Sequence, residues 1–227
     1  MEIHRAGARF VTDADGRVTR HSLSFGSHYD PDNLRFGLLV CHNDDLVQPG
    51  GGYPDHPHRD LEIVTWVLDG ALRHADSSGT SGVIEPGRVQ VMSAGDGVVH
   101  SETVDVASGP TRFIQTWVLP DETGGPTRYD SAPVEPEAAW QPVVSGSRPD
   151  AITRIGASGA TLYAARLAPG ERVDLPDAPL GHLFVTTGSA TLDDVALGEA
   201  DAVRLRDEGG TVTATAPTEL LLWNFGG

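Results

Sequence analysis

Glu62-Ile-Val-Thr-Trp-Val-Leu-Asp-Gly70 predicts a β-strand that ends in a tight turn, because it combines β-branched and aromatic residues with a terminal Asp-Gly pair. Short runs of the same kind occur along most of the chain, separated by turns rich in glycine and proline. Many short strands at close spacing are typical of an all-β sandwich or barrel. In the first half, the other predicted strands include Phe36–Cys41, Val83–Glu85, Val89–Met92, Val98–Thr103 and Arg112–Leu119.

The second half of the chain repeats the rhythm of the first. Glu62–Gly70 aligns with His182–Gly188, and Pro86–Val91 aligns with Leu197–Ala202. Between the halves, Asp121–Pro149 is rich in Gly, Pro, Ser and acidic residues, which is typical of a connecting segment. We therefore predict two copies of one β-domain, with the first in residues 1–125 and the second, preceded by the linker, in residues 126–227.

The charge balance argues against a nucleic-acid partner. The 227 residues carry 16 Arg and no Lys against 32 acidic residues, which gives a net charge of −16 at pH 7. A surface that binds nucleic acid needs the opposite sign. The acidic residues are spread evenly along the chain, so we attribute the charge to solubility and expect no direct contact with DNA or RNA.

The location of the protein is predicted from three features. Cys41 is the only cysteine, so it has no disulfide partner within the chain. The start of the sequence, Met1-Glu2-Ile3-His4, lacks a basic and apolar signal segment, and no apolar run approaches the roughly 20 residues of a membrane span. We expect a cytoplasmic protein with no membrane partner, which is long enough to fold as a monomer.

Histidine is concentrated in the first half, where eight of the nine occur within 100 residues. Two short motifs stand out, His56-Pro57-His58 and His100-Ser101-Glu102. Side chains at positions i and i+2 of a strand point to the same face, about 6.6 Å apart along it. If the two strands approach each other, three imidazoles and one carboxylate converge on one point. The sequence therefore predicts a metal site.

This donor set selects among metals. Three nitrogen donors and one oxygen donor suit Fe(II), Mn(II), Ni(II), Cu(II) or Zn(II), whereas Mg²⁺ and Ca²⁺ prefer oxygen donors only. Four protein ligands leave two positions of a six-coordinate ion open to substrate or dioxygen. Glu62 has the same parity as His56 and His58, so spacing alone leaves Glu62 and Glu102 as rival oxygen ligands. In the second half His182 stands alone, so we predict no second metal there.

Two sets of motifs resemble known families. The pattern Gly50-x5-His56-x-His58-x3-Glu62-x7-Gly70, followed by Gly97-x2-His100, is similar to the two cupin motifs. The spacing before Gly70 differs by one residue from the cupin pattern, and the proline that this pattern has before Gly97 is absent. More specifically, the chain resembles the pirin family over His56–Gly70, His74–Ser77, Ile84–Gly95 and His100–Glu102.

The pirin resemblance implies a bicupin, an all-β protein of two cupin-type β-barrels of the double-stranded β-helix type. It also implies one metal ion in the N-terminal domain, most often Fe(II), with His56, His58, His100 and Glu102 as ligands. Glu62 then lies beside the ligands rather than among them, and we place Arg59 there too. No other cofactor is expected.

The resemblance further implies dioxygenation of flavonols of the quercetin type, with a small planar phenolic substrate. Glu102 is the candidate catalytic base, because a carboxylate beside the metal can accept the hydroxyl proton of the substrate. The alternative is a non-enzymatic regulatory protein that binds a partner protein in a manner that depends on the metal and its oxidation state. His74 and Asp76 are expected to form a structural hydrogen-bonded pair.

Overall fold

The computed structural model describes residues 1–226, whose regular structure consists of β-strands and one 3-10 helix at Ala6–Ala8. The prediction of an all-β protein is confirmed. Over these residues there is no helix with the length and hydrophobicity that a membrane-spanning segment needs. The strands are β1 (Glu2–His4), β2 (Phe10–Ala14), β3 (Arg17–His21), β4 (Leu39–Val47), β5 (Gly52–His58), β6 (Glu62–Asp69), β7 (Leu72–Asp76), β8 (Ser81–Ile84), β9 (Arg88–Ser93), β10 (Val98–Thr103), β11 (Thr111–Val118), β12 (Arg128–Pro133), β13 (Gln141–Ser145), β14 (Thr153–Arg154), β15 (Ala160–Leu167), β16 (Arg172–Asp174), β17 (Leu180–Thr187), β18 (Ser189–Leu192), β19 (Val195–Gly198), β20 (Ala202–Arg206), β21 (Thr211–Ala214) and β22 (Thr218–Phe225).

The chain forms two compact units. The N-terminal unit contains Phe10–Val134 and Thr153–Ala157. The C-terminal unit contains Met1–Arg9, Glu135–Ile152 and residues 158–226. These bounds differ from the predicted division at residue 125, because β12 pairs with β9 and extends the N-terminal unit to Val134. The first strand of the chain, β1, pairs with β20 and so becomes part of the C-terminal unit.

The N-terminal unit is built from two antiparallel sheets. One has the strand order β12-β9-β6-β11-β4-β3-β2, and the other has the order β5-β10-β7-β8. Side chains from both sheets share one apolar cluster, in which Val67 and Phe113 of the first sheet pack with Leu72 and Ile84 of the second. Each such side chain stabilises the fold by about 1.5–3 kcal/mol. The sheets therefore form a sandwich, and the side chains that face inward can meet between them.

The C-terminal unit has the same plan. Its larger sheet includes the strands β1-β20-β17-β22-β15-β13 in that order, and its smaller sheet has the order β16-β21-β18-β19. Its core is apolar: Leu183 and Leu222 of the larger sheet pack with Leu192 and Val212 of the smaller one, and all four are fully buried.

The turns that end β6 and β17 show that the sequence repeat is also a structural repeat. Gly70 and Gly188 have positive φ angles of 78° and 82°, and a Cβ on either would lie within 2.9 Å of the backbone of the strand paired with it in the sheet, β11 or β22. In both turns a threonine hydroxyl of that strand, from Thr111 or Thr218, accepts a hydrogen bond from the residue after the glycine. Only glycine fits such a turn, so its recurrence marks equivalent positions of the two units.

Candidate metal centre

The two histidine motifs lie on adjacent antiparallel strands. His56 and His58 are on β5, and His100 is on β10 directly opposite His56. The three imidazole rings have centroids 4.4 to 4.9 Å apart, and one potential donor atom from each lies within 4.8 Å of the others. The structure thus brings together the three histidines that were predicted as ligands.

Glu102 lies two residues after His100 on β10, so the two side chains point to the same face of that strand. The pairing of β10 with β5 shifts register between His100 and Glu102, so that Glu102 lies opposite Tyr53. Glu102 belongs to a second cluster of potential ligands, together with His74 and His100, whose donor atoms also lie within 4.8 Å of one another. In residues 1–226, Glu102 is therefore linked to the three imidazoles through His100, but it is not a member of the cluster that His56, His58 and His100 form.

The electrostatics of the imidazoles suit a metal ion. Burial lowers the pKa of His58 to about 4, and the neighbouring His100 and His56 lower it further in the same direction. Burial and the rings of His56 and His74 likewise lower the pKa of His100 to about 3. Both imidazoles are therefore neutral near pH 7, and their lone pairs are free to coordinate.

The hydrogen bonds of these histidines also fit a metal. Nε2 of His58 and both ring nitrogens of His100 are buried without a hydrogen-bond partner, although an unsatisfied buried polar group costs about 1–3 kcal/mol. Nδ1 of His56 donates to the carbonyl of Pro54 at 2.8 Å, which leaves Nε2 as the donor atom. Metal-bound histidines commonly have such a carbonyl partner. A single transition-metal ion would satisfy one nitrogen of each of these three imidazoles.

Three side chains from the larger sheet hold the carboxylate of Glu102. Gln115 on β11 donates to Oε2 at 2.6 Å, while Gln90 on β9 and Thr65 on β6 donate to Oε1 at 3.3 Å each. Gln115 also accepts a hydrogen bond from the indole of Trp117 at 3.1 Å. The sequence analysis missed these residues. The available signal was a buried polar residue inside an apolar strand, such as Gln90 between Val89 and Val91.

Glu62, which is expected beside the ligands rather than among them, makes its hydrogen bond to a different residue. It is a member of neither ligand cluster in residues 1–226, and its carboxylate instead accepts a hydrogen bond from Ser93 at 2.6 Å. Glu62 lines a cavity of about 330 Å³ whose walls include none of the four predicted ligands. The parity argument fails because β5 ends at His58, and Asp60, with a φ of 53°, turns the chain before β6 begins.

Arg59 lies beside the centre. Its side chain is exposed, and it lines an open cavity of about 400 Å³ together with His58, Ser77 and Val99. The ring of Trp117 contacts that of His58 at 4.8 Å between centroids. Arg59 thus stands at the solvent side of one imidazole, and Trp117 gives that imidazole an aromatic neighbour.

A buried carboxyl group lies behind this site. Asp45 on β4 is 1% exposed and accepts hydrogen bonds from the hydroxyls of Thr19 and Tyr53. The Tyr53 ring lies 6.0 Å from that of His56. Burial raises the pKa of Asp45 to about 7, and although the two hydrogen bonds oppose the rise, the negative charge of Glu102 adds to it.

This raised pKa predicts how stability depends on pH. In the folded protein Asp45 keeps its proton up to about pH 7, so its contribution to stability is lost as the pH rises from about 4 through 7. We compare the Tm of Asp45→Asn with that of the parent at each pH. The difference, variant minus parent, should increase by about 5–10 °C as the pH rises from 5 to 8. Thermal unfolding with a chelator present measures this. The titration of His58 and His100 is common to both proteins, so it cancels from this difference. A difference in Tm that is the same at pH 5 and pH 8 would contradict the prediction.

Comparisons with known proteins place the chain. The family model described as Pirin matches residues 4–118. A Mycobacterium tuberculosis relative, provisionally named a quercetin 2,3-dioxygenase, is 49% identical over 99% of this chain and 95% of its own length. The quercetin 2,3-dioxygenase of Escherichia coli K12 is 31% identical over 90% of each chain.

A solved structure extends the likeness to the whole fold. The crystal structure of the bacterial pirin YhhW from Escherichia coli in complex with nickel(II) superposes with a TM-score of 0.91 at 29% identity, covering 99% of this chain and 98% of that one. The predicted bicupin fold is therefore confirmed, and with it a metal-binding cupin of the pirin type. This chain belongs to the pirin family.

Proposed function

We propose that this protein is a dioxygenase that opens flavonols of the quercetin type with O₂ at one transition-metal ion. The ligands in this proposal are His56, His58, His100 and Glu102. The observation that carries it is the set of three closely spaced imidazoles, two of them buried and neutral with unpartnered nitrogens, beside a carboxylate that three donors hold in place. The names of the Escherichia coli and Mycobacterium tuberculosis relatives support the substrate class.

The metal in this proposal is Fe(II), with Mn, Ni, Cu and Zn as alternatives, because the same donors suit all of them. When bound, such an ion supplies a Lewis acid and open coordination positions for a phenolic oxygen and O₂. The nickel complex of the related pirin agrees with the choice of a transition metal.

Two aromatic side chains are placed to orient a planar substrate. Trp117 lies against His58 and Tyr53 lies near His56, and both are only partly buried. Aromatic rings beside the imidazoles favour stacking with a phenolic ring system. Arg59 at the solvent side can receive an anionic substrate oxygen.

In this proposal Glu102 takes the proton of the substrate hydroxyl. Its Oε2 is held by the short bond from Gln115, whereas Oε1 receives two longer bonds from Thr65 and Gln90. Longer hydrogen bonds are weaker, so Oε1 is the oxygen that can accept a proton at lower cost. Gln115 and Gln90 are positioning residues that fix the orientation of the carboxylate.

The test is flavonol consumption by protein loaded with iron under anaerobic conditions and then mixed with quercetin and air. We expect the flavonol absorption to disappear and both atoms of ¹⁸O₂ to enter the product. His56→Ala should lower the rate by more than about 100-fold, because outer partners of metal ligands alone are worth about 10–100-fold. His4→Ala, in the C-terminal unit, is the control that should keep the parent rate.

Two results would overturn the proposal. One is a His56→Ala protein that consumes quercetin as fast as the parent. The other is a parent protein that holds its metal and consumes no flavonol. The latter result would favour the alternative, a non-enzymatic protein that binds a partner protein in a metal-dependent manner.

A further inference from the structure

His74 is a buried histidine that the proposed centre does not use. It lies on β7 and is 0% exposed. Its Nε2 and the carboxylate Oδ2 of Asp76 are 3.0 Å apart, so the expected pair with Asp76 is present. Its Nδ1, however, is buried with no hydrogen-bond partner. A purely structural histidine would leave that nitrogen unsatisfied at a cost of about 1–3 kcal/mol.

The surroundings of this nitrogen are donors for metals. His74 lies opposite Glu102 in the pairing of β7 with β10, and its ring centroid is 5.4 Å from that of His100. One donor atom from each of His74, His100 and Glu102 lies within 4.8 Å of the others. All three side chains are at most 1% exposed.

His74 is also oriented as metal-bound histidines are. Such a histidine usually donates its second ring nitrogen to a carboxylate or a carbonyl, which fixes the tautomer. In His74 the partner is Asp76, as the carbonyl of Pro54 is for His56. Asp76 is held in turn by the backbone N–H groups of Ser78 and Thr80. With Nε2 protonated, the lone pair of Nδ1 is available for an ion.

We propose that His74, His100 and Glu102 form a second, inner binding position for a divalent transition metal. This position shares His100 and Glu102 with the centre proposed above, but it does not depend on the dioxygenase activity. The two positions are alternatives for one ion, because both use His100. When the outer imidazoles of His56 and His58 are lost, the ion moves to the inner position and stays bound.

The experiment measures Ni(II) binding by calorimetry and by elemental analysis after dialysis, using the full chain. We expect His56→Ala/His58→Ala to bind one Ni(II), about 10- to 1,000-fold more weakly than the parent. Adding His74→Ala should weaken the remaining binding by a further 100-fold or more. Adding His21→Ala instead should leave it unchanged, because His21 is equally buried in the same unit but belongs to neither cluster.

Two results would overturn the inner position. The double variant, shown to be folded by circular dichroism, could bind no Ni(II), or the triple variant with His74→Ala could bind as the double variant does. If His74→Ala fails to fold, His74→Gln carries the test, because its amide can still donate to Asp76 while the imidazole donor is removed. If the parent and its variants bind Ni(II) as expected but the iron-loaded parent consumes no flavonol, the dioxygenase proposal is contradicted and the inner position is not.

Discussion

Replacing His100 with alanine is expected to abolish transition-metal binding, a larger effect than the loss of any other single histidine. His100 is the one residue that belongs to both ligand clusters in residues 1–226, so its loss leaves each cluster with two of its three members. It is buried and neutral near pH 7 in the parent, so a ring lone pair is available to the metal. We expect Ni(II) affinity to fall by more than 1,000-fold, which corresponds to about 4 kcal/mol.

The same variant separates a metal ligand from a structural residue. Neither ring nitrogen of His100 has a hydrogen-bond partner, so the metal-free variant loses packing but no hydrogen bond. An ion at 100 times its dissociation constant stabilises the parent by about 2.7 kcal/mol, which raises the Tm by several degrees. His100→Ala should show no rise in Tm with Ni(II), whereas His21→Ala should show the full rise. A full rise in His100→Ala would mean that this histidine is not a ligand.

Much of the fold was predictable because its signals are local. The Asp-Gly pair at Gly70 marks a turn that requires a positive φ, which glycine adopts readily. Gly188 marks the equivalent turn of the second unit. The alternation of side chains along a strand was enough to put His56 and His58 on one face of β5, and His100 and Glu102 on one face of β10. Each of these inferences depends on neighbours within a few residues.

The parts that sequence could not predict depend on distant strands. Gln90 and Gln115 reach Glu102 because β9 and β11 belong to the sheet that faces β10, and no spacing rule contains that information. The parity of Glu62 holds only for an unbroken strand, and the turn at Asp60 breaks it. The pairing of β1 with β20 likewise joins residues about 200 positions apart in the chain.

Gly52 links the fold to the site, and its replacement is expected to have the largest effect on stability. It begins β5 with a φ of 135°, a conformation that is essentially restricted to glycine. A Cβ at this position would lie 2.2 Å from the carbonyl oxygen of Glu102 and 2.7 Å from Cα of Thr103. These are backbone atoms, so no side-chain rotation relieves the clash, and β10 must move away from β5.

Gly52→Ala should therefore lose more than about 3 kcal/mol of unfolding free energy, or about 6–12 °C in Tm. Gly79→Ala is the matched control, because Gly79 also has a positive φ, of 92°, but no atom lies within 4 Å of an added Cβ. The difference between the two variants isolates the clash from the backbone strain. Because the strand that must move carries His100 and Glu102, Gly52→Ala should also weaken Ni(II) binding, whereas Gly79→Ala should not. Equal losses of stability in both variants, with unchanged Ni(II) affinity, would show that the close approach of β5 and β10 does not set the geometry of the ligands.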